Sequence, residues 1–328
     1  MTLDERQFKD LNKPIEKTIH KQKLSQEDVE KFIQLKNIDE CKQYMKVMLD
    51  FYFNAIDWPS NYIATSEYED DRNIWLQTMF SKGCSFLLLL DGISYSTEFC
   101  RLNIIMDFPT LFTVARRIYE SLIAFELIFV IPKSLDQQTI IHNLFIAHSL
   151  QERLRNSDEE FRKENPERIK EEEQAVDECK RAIEETGLYK TLNKETKQLI
   201  DNAFGRKFRY TFKEDNTMEP IQYNQAHTLL NVKEGVFDAI YSQFSLHGHP
   251  SYLSLIQFRD AFEEDGDRED VVNAIFVTRC VLSFMSIFIL DYMKINPLSK
   301  DLYDRLEEPR KLAIKFFGNV MRGLSLID

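Results

Sequence analysis

The chain has 328 residues, of which 54 are acidic and 42 are basic, so its formal net charge is −12. This length allows a sizeable buried core in one large domain or two small ones. The negative charge opposes non-specific binding to nucleic acid or to an anionic membrane surface, although it leaves room for a local basic pocket.

Helices are the predicted elements along almost the whole chain, because apolar residues recur at the spacing i, i+3, i+4, i+7. Glycine and proline are scarce, at nine residues each, which favours long helices with few tight turns. A first helix begins at Ser25, after a polar N-terminal arm. The spacing predicts further helices over residues 39–57, 67–93, 108–131, 135–157, 166–186, 193–204, 233–247, 268–293 and 298–323.

We therefore predict an all-α fold, an irregular helical bundle whose centre is formed by the helices 108–131, 233–247 and 268–293. Residues 1–66 are predicted to form an N-terminal helical arm, and residues 67–328 the bundle. The segment closest to a strand, "KFRYTF" at 207–212, is predicted as a short extended connector.

The bundle carries a charged insertion near residues 158–190. Its part from Asp158 to Thr186 has twelve acidic and six basic residues, and its few apolar residues Ile169, Val176 and Ile183 recur every seven positions. This stripe is too narrow for a central core helix, so we expect a solvated helix or hairpin that projects from the bundle. The alternative is an arm that contacts a second copy or a protein partner.

The sequence indicates a cytoplasmic protein. The five cysteines are scattered without a C-x-x-C pair, and the N-terminal residues offer no apolar core for a signal peptide. The most apolar window, Ala274 to Leu290, is interrupted by Arg279, which favours a buried core helix over a membrane segment.

Familiar cofactor and metal motifs are missing, so no cofactor and no metal ion is expected. The chain has neither G-x-x-x-x-G-K nor G-x-G-x-x-G, which disfavours a nucleotide-binding α/β enzyme. It also has no H-E-x-x-H, and His142 and His148 are six residues apart, which places them on different faces of one helix.

Charged residues stand out in the apolar stretch Asp107 to Pro132. Arg116 lies four residues and Arg117 three residues before Glu120, so ion pairs within one helix are expected. Charges in a bundle core are costly unless they are paired. Either the pair fixes the register of the helix, or it forms a polar pocket for a ligand or for another polar segment.

That other segment is "YSQFSLHGHPS", Tyr241 to Ser251, which holds two of the six histidines. Gly248 and Pro250 can end a helix, with a histidine near its C-terminus complementing the helix dipole. The alternatives are a ligand pocket and a catalytic site. We expect a side chain of Tyr241, Ser245 or His249 to lie within about 4 Å of Arg116 or Glu120, because both stretches then satisfy their polar groups.

At these two stretches, over roughly residues 70–295, the sequence resembles an uncharacterised family of bacterial all-helical proteins with a domain of unknown function. The family combines Arg-x-x-x-Glu with a later Tyr-x-x-x-Ser-x-x-x-His-Pro-Ser. Here the first matches Arg116 and Glu120. The second matches Tyr241, Ser245, His249, Pro250 and Ser251, and His247 is an additional histidine.

That family is similar to the HEPN superfamily of helical bundles, many of which are metal-independent ribonucleases in toxin, CRISPR and phage-defence systems. The resemblance implies catalysis by His249 and Arg116 with Glu120, and ligand contacts from Arg117, His247 and the matched tyrosine and serines. The superfamily's arginine four to six residues before the histidine is missing here, so Arg116 would supply that cation from another helix.

Two functions are therefore expected as alternatives. One is a HEPN-like ribonuclease or toxin effector of a bacterial defence system, which binds RNA at a local pocket. The other is a non-catalytic helical bundle that binds a protein partner, a second copy or a small ligand in the same polar pocket. No membrane partner is expected.

Overall fold

Long amphipathic helices dominate the computed structural model, which describes residues 35–57, 67–222, 225–248, 251–260 and 269–323. In these residues, strands are confined to two short hairpins, so the predicted all-α class is confirmed. The chain divides into two compact units. The first lies within Leu11–Ile123 and His227–Asp328, and the second within Ala124–Ala226.

The elements follow one another in a simple order. The first half has α1 (Ile38–Asp57), α2 (Glu67–Leu89), β1 (Ile93–Ser96), β2 (Arg101–Ile105), α3 (Phe108–Phe125), a π-helical turn (Glu126–Val130) and α4 (Leu135–Asn156). Then come α5 (Glu159–Glu164), α6 (Pro166–Glu185), α7 (Gly187–Thr191), α8 (Lys194–Ala203), β3 (Tyr210–Phe212), β4 (Met218–Pro220) and a 3₁₀ turn (Ala226–Leu230). The last are α9 (Glu234–Gly248), α10 (Tyr252–Asp260), α11 (Glu269–Ile295), α12 (Pro297–Asp304) and α13 (Glu308–Val320).

Aromatic rings join α3, α9 and α11 at the centre of the first unit. Phe112 and Tyr119 of α3 meet Phe244 and Phe237 of α9 at ring-centroid distances of 6.0 and 5.2 Å. Phe284 of α11 lies 5.2 Å from Tyr119 and 6.1 Å from Phe244. Aromatic pairs at these distances add stability beyond their buried area. Aromatic contacts therefore join the three helices that were predicted to form the centre of the bundle, and their central position stays a prediction.

The apolar helix α11 is mostly buried in the first unit, where it packs most extensively on α13 and α1. Gly318 allows α13 to come close, since a Cβ there would overlap the Leu290 side chain of α11. The segment Val271–Ile295 has a mean hydropathy of 1.9 in its most apolar window, of which 72% is buried. By length and composition it could cross a membrane, and its burial is that of a core helix.

The charged segment packs on one neighbouring helix. In the second unit, the seven-residue stripe of α6 packs along α4, and Ile169, Val176 and Ile183 are all buried. The buried carboxylate of Glu172 pairs with Arg153 of α4 at 2.5 Å. A stripe of one apolar residue per two turns therefore suffices for one helix neighbour, while the other faces of α6 are solvated as expected. Its projection from the bundle stays a prediction.

Two further differences have local causes. Helix α2 ends at Leu89 rather than at residue 93, and Gly92, with φ +77°, leads into the unpredicted β1–β2 hairpin. Near the C-terminus, the single helix predicted over 298–323 is two helices, because Pro309 stands in the first turn of α13 and favours a new start there.

Some of the remaining predicted segments lie within the described residues, and others lie outside them. Residues 207–212 end in β3, which pairs with β4. The predicted N-terminal arm includes α1, whose buried face packs on α2 and α11. The helix expected from Ser25 lies outside the described residues, as do residues 58–66, so the arm over 1–66 stays a prediction.

A buried ion-pair network holds the end of the first unit. Asp291 of α11 is 1% exposed and meets Arg322 at 2.5 Å and Lys294 at 2.6 Å. Arg322 also donates to the carbonyl of Leu230 at 2.7 Å. One buried carboxylate therefore connects α11, the 3₁₀ turn and the residues after α13.

Replacing this carboxylate should strongly destabilise the fold. We expect Asp291→Ala to lower the free energy of unfolding by about 3–5 kcal/mol, because it leaves the Arg322 charge without its buried counter-ion. Asp304→Ala, which removes the exposed pair with Lys300, should cost about 0.2–1 kcal/mol. Urea titrations followed by circular dichroism measure both, and equal losses would contradict the assignment.

Candidate functional site

The charged residues of α3 form the predicted ion pairs. Arg116 Nε donates to Glu120 Oε1 at 3.0 Å, and Arg117 Nη1 donates to Glu120 Oε2 at 3.3 Å. Arg116 and Glu120 side chains are 22% and 19% exposed, whereas that of Arg117 is 71% exposed. Spacings of four and three residues place all three on one helix face. Glu120 therefore uses both oxygens to hold two guanidinium groups, and its catalytic role stays a prediction.

The two stretches singled out from the sequence meet at Gly248, the last residue of α9. A Cβ at Gly248 would lie 2.8 Å from Arg116 Nη1 and 3.6 Å from Arg116 Cδ. Only glycine leaves room for the guanidinium against this backbone. In the described part of the chain, no hydrogen bond links Tyr241 or Ser245 to Arg116.

The C-terminus of α9 is a favourable place for this guanidinium. The carbonyl groups of a last helical turn carry partial negative charge, which stabilises a nearby cation by about 0.3–1 kcal/mol. Arg116 thus lies between a carboxylate of its own helix and the end of another helix. Its two Nη groups are not used by Glu120 and can donate to a ligand.

His247 has the contacts of a core residue. Its ring stacks on Phe112 at 4.6 Å and meets Phe108 edge-on at 5.4 Å. Its Nδ1 lies 3.2 Å from Ser254 Oγ, and burial lowers the pKa of the imidazole. The ligand-binding role expected for His247 therefore finds no support in its described contacts.

The other polar residues of the stretch mark the change from α9 to α10. Ser251 Oγ donates to the carbonyl of Leu246 at 3.2 Å and accepts from the backbone N–H of Ser254 at 3.0 Å. This is an N-cap of α10, so the stretch does end one helix and begin another. Tyr241 stacks on Phe237 at 5.4 Å, and Ser245 is half-buried.

His249 and Pro250 lie outside the described residues. The catalytic role of His249 therefore stays a prediction, and its support is that it follows Gly248 directly in the sequence. In the described residues, no group of three or more His, Cys, Asp or Glu side chains could hold a metal ion.

Lys82 of α2 is a residue of this region that sequence reasoning missed. Its side chain is half-buried, and burial together with the positive charge of Arg117 lowers the pKa of its ammonium group. Among the described residues it has no hydrogen-bond or ion-pair partner. Nothing in the sequence pattern distinguishes Lys82 from a solvated lysine, because its relation to Arg117 arises only on folding.

Comparison with known proteins gives one match. The model of a family of unknown function, DUF5677, matches residues 86–268, which include α3, α9 and α10. No curated protein and no solved structure matches the chain significantly.

The close contact between Gly248 and Arg116 can be tested by substitution, with Gly235 of the same helix as the control position. We expect Gly248→Ala to displace the Arg116 guanidinium, because the added Cβ would lie 2.8 Å from Nη1. Gly235→Ala is the matched control, since nothing lies within 4 Å of its Cβ, and it should leave Arg116 in place. Crystal structures and unfolding curves of both variants check this. An unmoved Arg116 in Gly248→Ala would refute the close contact.

Protonation of His247 should weaken the fold in mild acid. Because burial lowers its pKa below the ordinary value near 6.5, the unfolded chain binds this proton more readily than the folded one. The contribution of neutral His247 is therefore present above about pH 6.5 and is lost as the pH falls through the folded pKa. His247→Gln should lose less stability than wild type between pH 7.5 and 5, as measured by urea unfolding. Equal losses would contradict the prediction.

Proposed function

We propose, from the premise that this chain belongs to the DUF5677 family of unknown function, that it binds RNA at Arg116 and cleaves it without a metal ion. Arg116 is the phosphate-binding group, Glu120 positions it, and His249 is the general acid or base. The cations at this site are the guanidinium groups of Arg116 and Arg117, a group that binds phosphate oxygens well.

The single observation that carries this proposal is the approach of Gly248 to Arg116. The two matched stretches are more than a hundred residues apart in the sequence, yet folding brings them into contact. A guanidinium at that contact, with both Nη groups unused by Glu120, suits two-point binding of phosphate oxygens.

The chemistry is a transesterification within RNA. A base removes the proton of a 2′-hydroxyl, whose oxygen attacks the adjacent phosphorus and forms a 2′,3′-cyclic phosphate. The bond from phosphorus to the 5′-oxygen breaks, and an acid protonates that leaving oxygen. An imidazole with an ordinary pKa can serve either proton transfer near neutral pH, and Arg116 stabilises charge on the phosphate oxygens.

The second candidate is a non-catalytic protein that binds a small anionic ligand at the same place. Two observations favour it. Glu120 is occupied by two arginines, and His247 is part of the core, so neither described residue is a free acid or base. The net charge of −12 also opposes a long nucleic-acid contact outside this local region.

RNA incubation in EDTA tests the proposal. The purified protein should cleave a single-stranded RNA oligonucleotide, and the product should end in a 2′,3′-cyclic phosphate. His249→Ala should reduce the rate by about 10²–10⁴-fold. Arg116→Lys should reduce it by about 10²–10³-fold, because lysine keeps the charge but loses two-point binding.

His148→Ala is the matched control, since His148 belongs to the second unit and pairs with Glu152. It should leave the rate unchanged. Cleavage that survives His249→Ala would refute the proposed catalysis. Absence of cleavage by every form, together with binding of inorganic phosphate that Arg116→Lys weakens, would establish the second candidate instead.

A further inference from the structure

We infer that the β1–β2 hairpin is an interaction surface, and that its partner is the same hairpin of a second copy of this chain, related by a two-fold axis. The hairpin lies in the first unit, between α2 and α3. This inference is independent of the proposed function, because it rests on none of the residues placed at the Arg116 site.

The hairpin exposes large apolar side chains on a short ribbon. Phe99 near its tip is 89% exposed, Ile104 is 72% exposed and Tyr95 is 58% exposed. All four residues of β1 are exposed as well. Because a buried aromatic side chain covers about 150–250 Å², Phe99 and Tyr95 alone expose roughly 300 Å² of surface that a partner can cover. Contiguous apolar surface of this size marks an interaction site.

Hydrogen bonds hold the tip of the hairpin in one conformation. The backbone N–H of Thr97 donates to the carbonyl of Cys100 at 2.8 Å. Thr97 Oγ1 accepts from the backbone N–H groups of Phe99 and Cys100, both at 3.2 Å. A side chain on an ordered turn loses less conformational entropy on binding than one on a loose loop. Phe99 is therefore presented to solvent by a prearranged turn.

Both edges of the hairpin lack a neighbouring strand. In the described residues, β1 and β2 form a sheet of two strands only, in which Ile93 faces Ile105 and Tyr95 faces Leu102. A two-stranded hairpin is marginally stable in water, and its unpaired backbone groups are a template for another strand. A partner that adds strands and covers the apolar side chains supplies what this hairpin lacks.

The charges of the hairpin favour a second copy as that partner. Glu98 and Arg101 are the charged residues of segment 93–105, so its net charge is zero in a chain of net charge −12. Both are exposed, and among the described residues neither has an ion-pair partner. A two-fold interface brings residue i of one copy to residue j of the other and j to i. Glu98 of each copy then meets Arg101 of the other copy.

The available area suits a reversible dimer. A standard interface covers about 800 Å² on each partner, and weaker interfaces cover less. Phe99 and Tyr95 provide roughly a third of that area, and Ile93, Ile104 and the unpaired strand edges add to it. An anionic lipid surface would attract Arg101 but repel Glu98, so it fits these charges less well than a second copy does.

Sedimentation equilibrium of the full-length chain at several concentrations tests the dimer. The wild type should show a monomer–dimer equilibrium. Phe99→Ser should raise its dissociation constant by about 10²-fold or more, because the two-fold axis removes the side chain from both halves of the interface. Val272→Ser is the matched control, since Val272 of α11 is 67% exposed outside the hairpin, and it should leave the constant unchanged. Thermal unfolding by circular dichroism verifies that both variants are folded.

Charge reversal tests the two-fold arrangement itself. Glu98→Arg alone and Arg101→Glu alone should each weaken the dimer, because each brings two pairs of like charges together. An equimolar mixture of these two variants should form a heterodimer with nearly the wild-type dissociation constant, because both contacts then join opposite charges. The variant that carries both substitutions should also recover the dimer.

Three results would overturn the inference. They are a wild type that is monomeric at its highest soluble concentration, a dimer that Phe99→Ser leaves intact, and charge-reversed variants that do not associate with each other. A monomer that floats with phosphatidylcholine vesicles, and loses this binding in Phe99→Ser, would identify a lipid surface as the partner in place of a second copy.

Discussion

The carboxylate of Glu120 is the group on which the site depends, because it holds two guanidinium groups on a helix that otherwise packs into the core. Its oxygens accept from Arg116 and Arg117 at 3.0 and 3.3 Å. Without this partner, a half-buried arginine would lose hydration free energy that no ion pair offsets. With it, Arg116 can remain beside the backbone of Gly248.

The core supplies the other half of this arrangement. The aromatic contacts of Phe112 and Tyr119 with α9 fix the orientation of α9 on α3. The stacking of His247 on Phe112 fixes the position of the last turn of α9. The next residue, Gly248, therefore ends this helix against Arg116. Within Tyr241–Ser251, His247 therefore contributes to core packing, and Gly248 provides the contact with Arg116.

Much of this could be predicted from the sequence, because it depends on local spacing. Apolar periodicity predicted the long helices, and the spacing of Arg116, Arg117 and Glu120 predicted their ion pairs, which are formed by one helix alone. The end of α9 at Gly248 also agreed with the expected helix stop.

What could not be predicted depends on tertiary neighbours. The packing of α6 on α4 needs a partner stripe that no single segment reveals, and the β1–β2 hairpin has four exposed residues in β1 without an alternating pattern. The role of His247 depends on Phe112, more than a hundred residues earlier.

The most direct measurement of the central claim is a crystal structure with a 2′-O-methyl oligoribonucleotide, which lacks the attacking hydroxyl and so stays intact. The account predicts a phosphate whose oxygens lie within hydrogen-bond distance of the Arg116 Nη groups, with Glu120 still bound to Arg116 Nε. An oligonucleotide bound elsewhere, with no phosphate at Arg116, would contradict it.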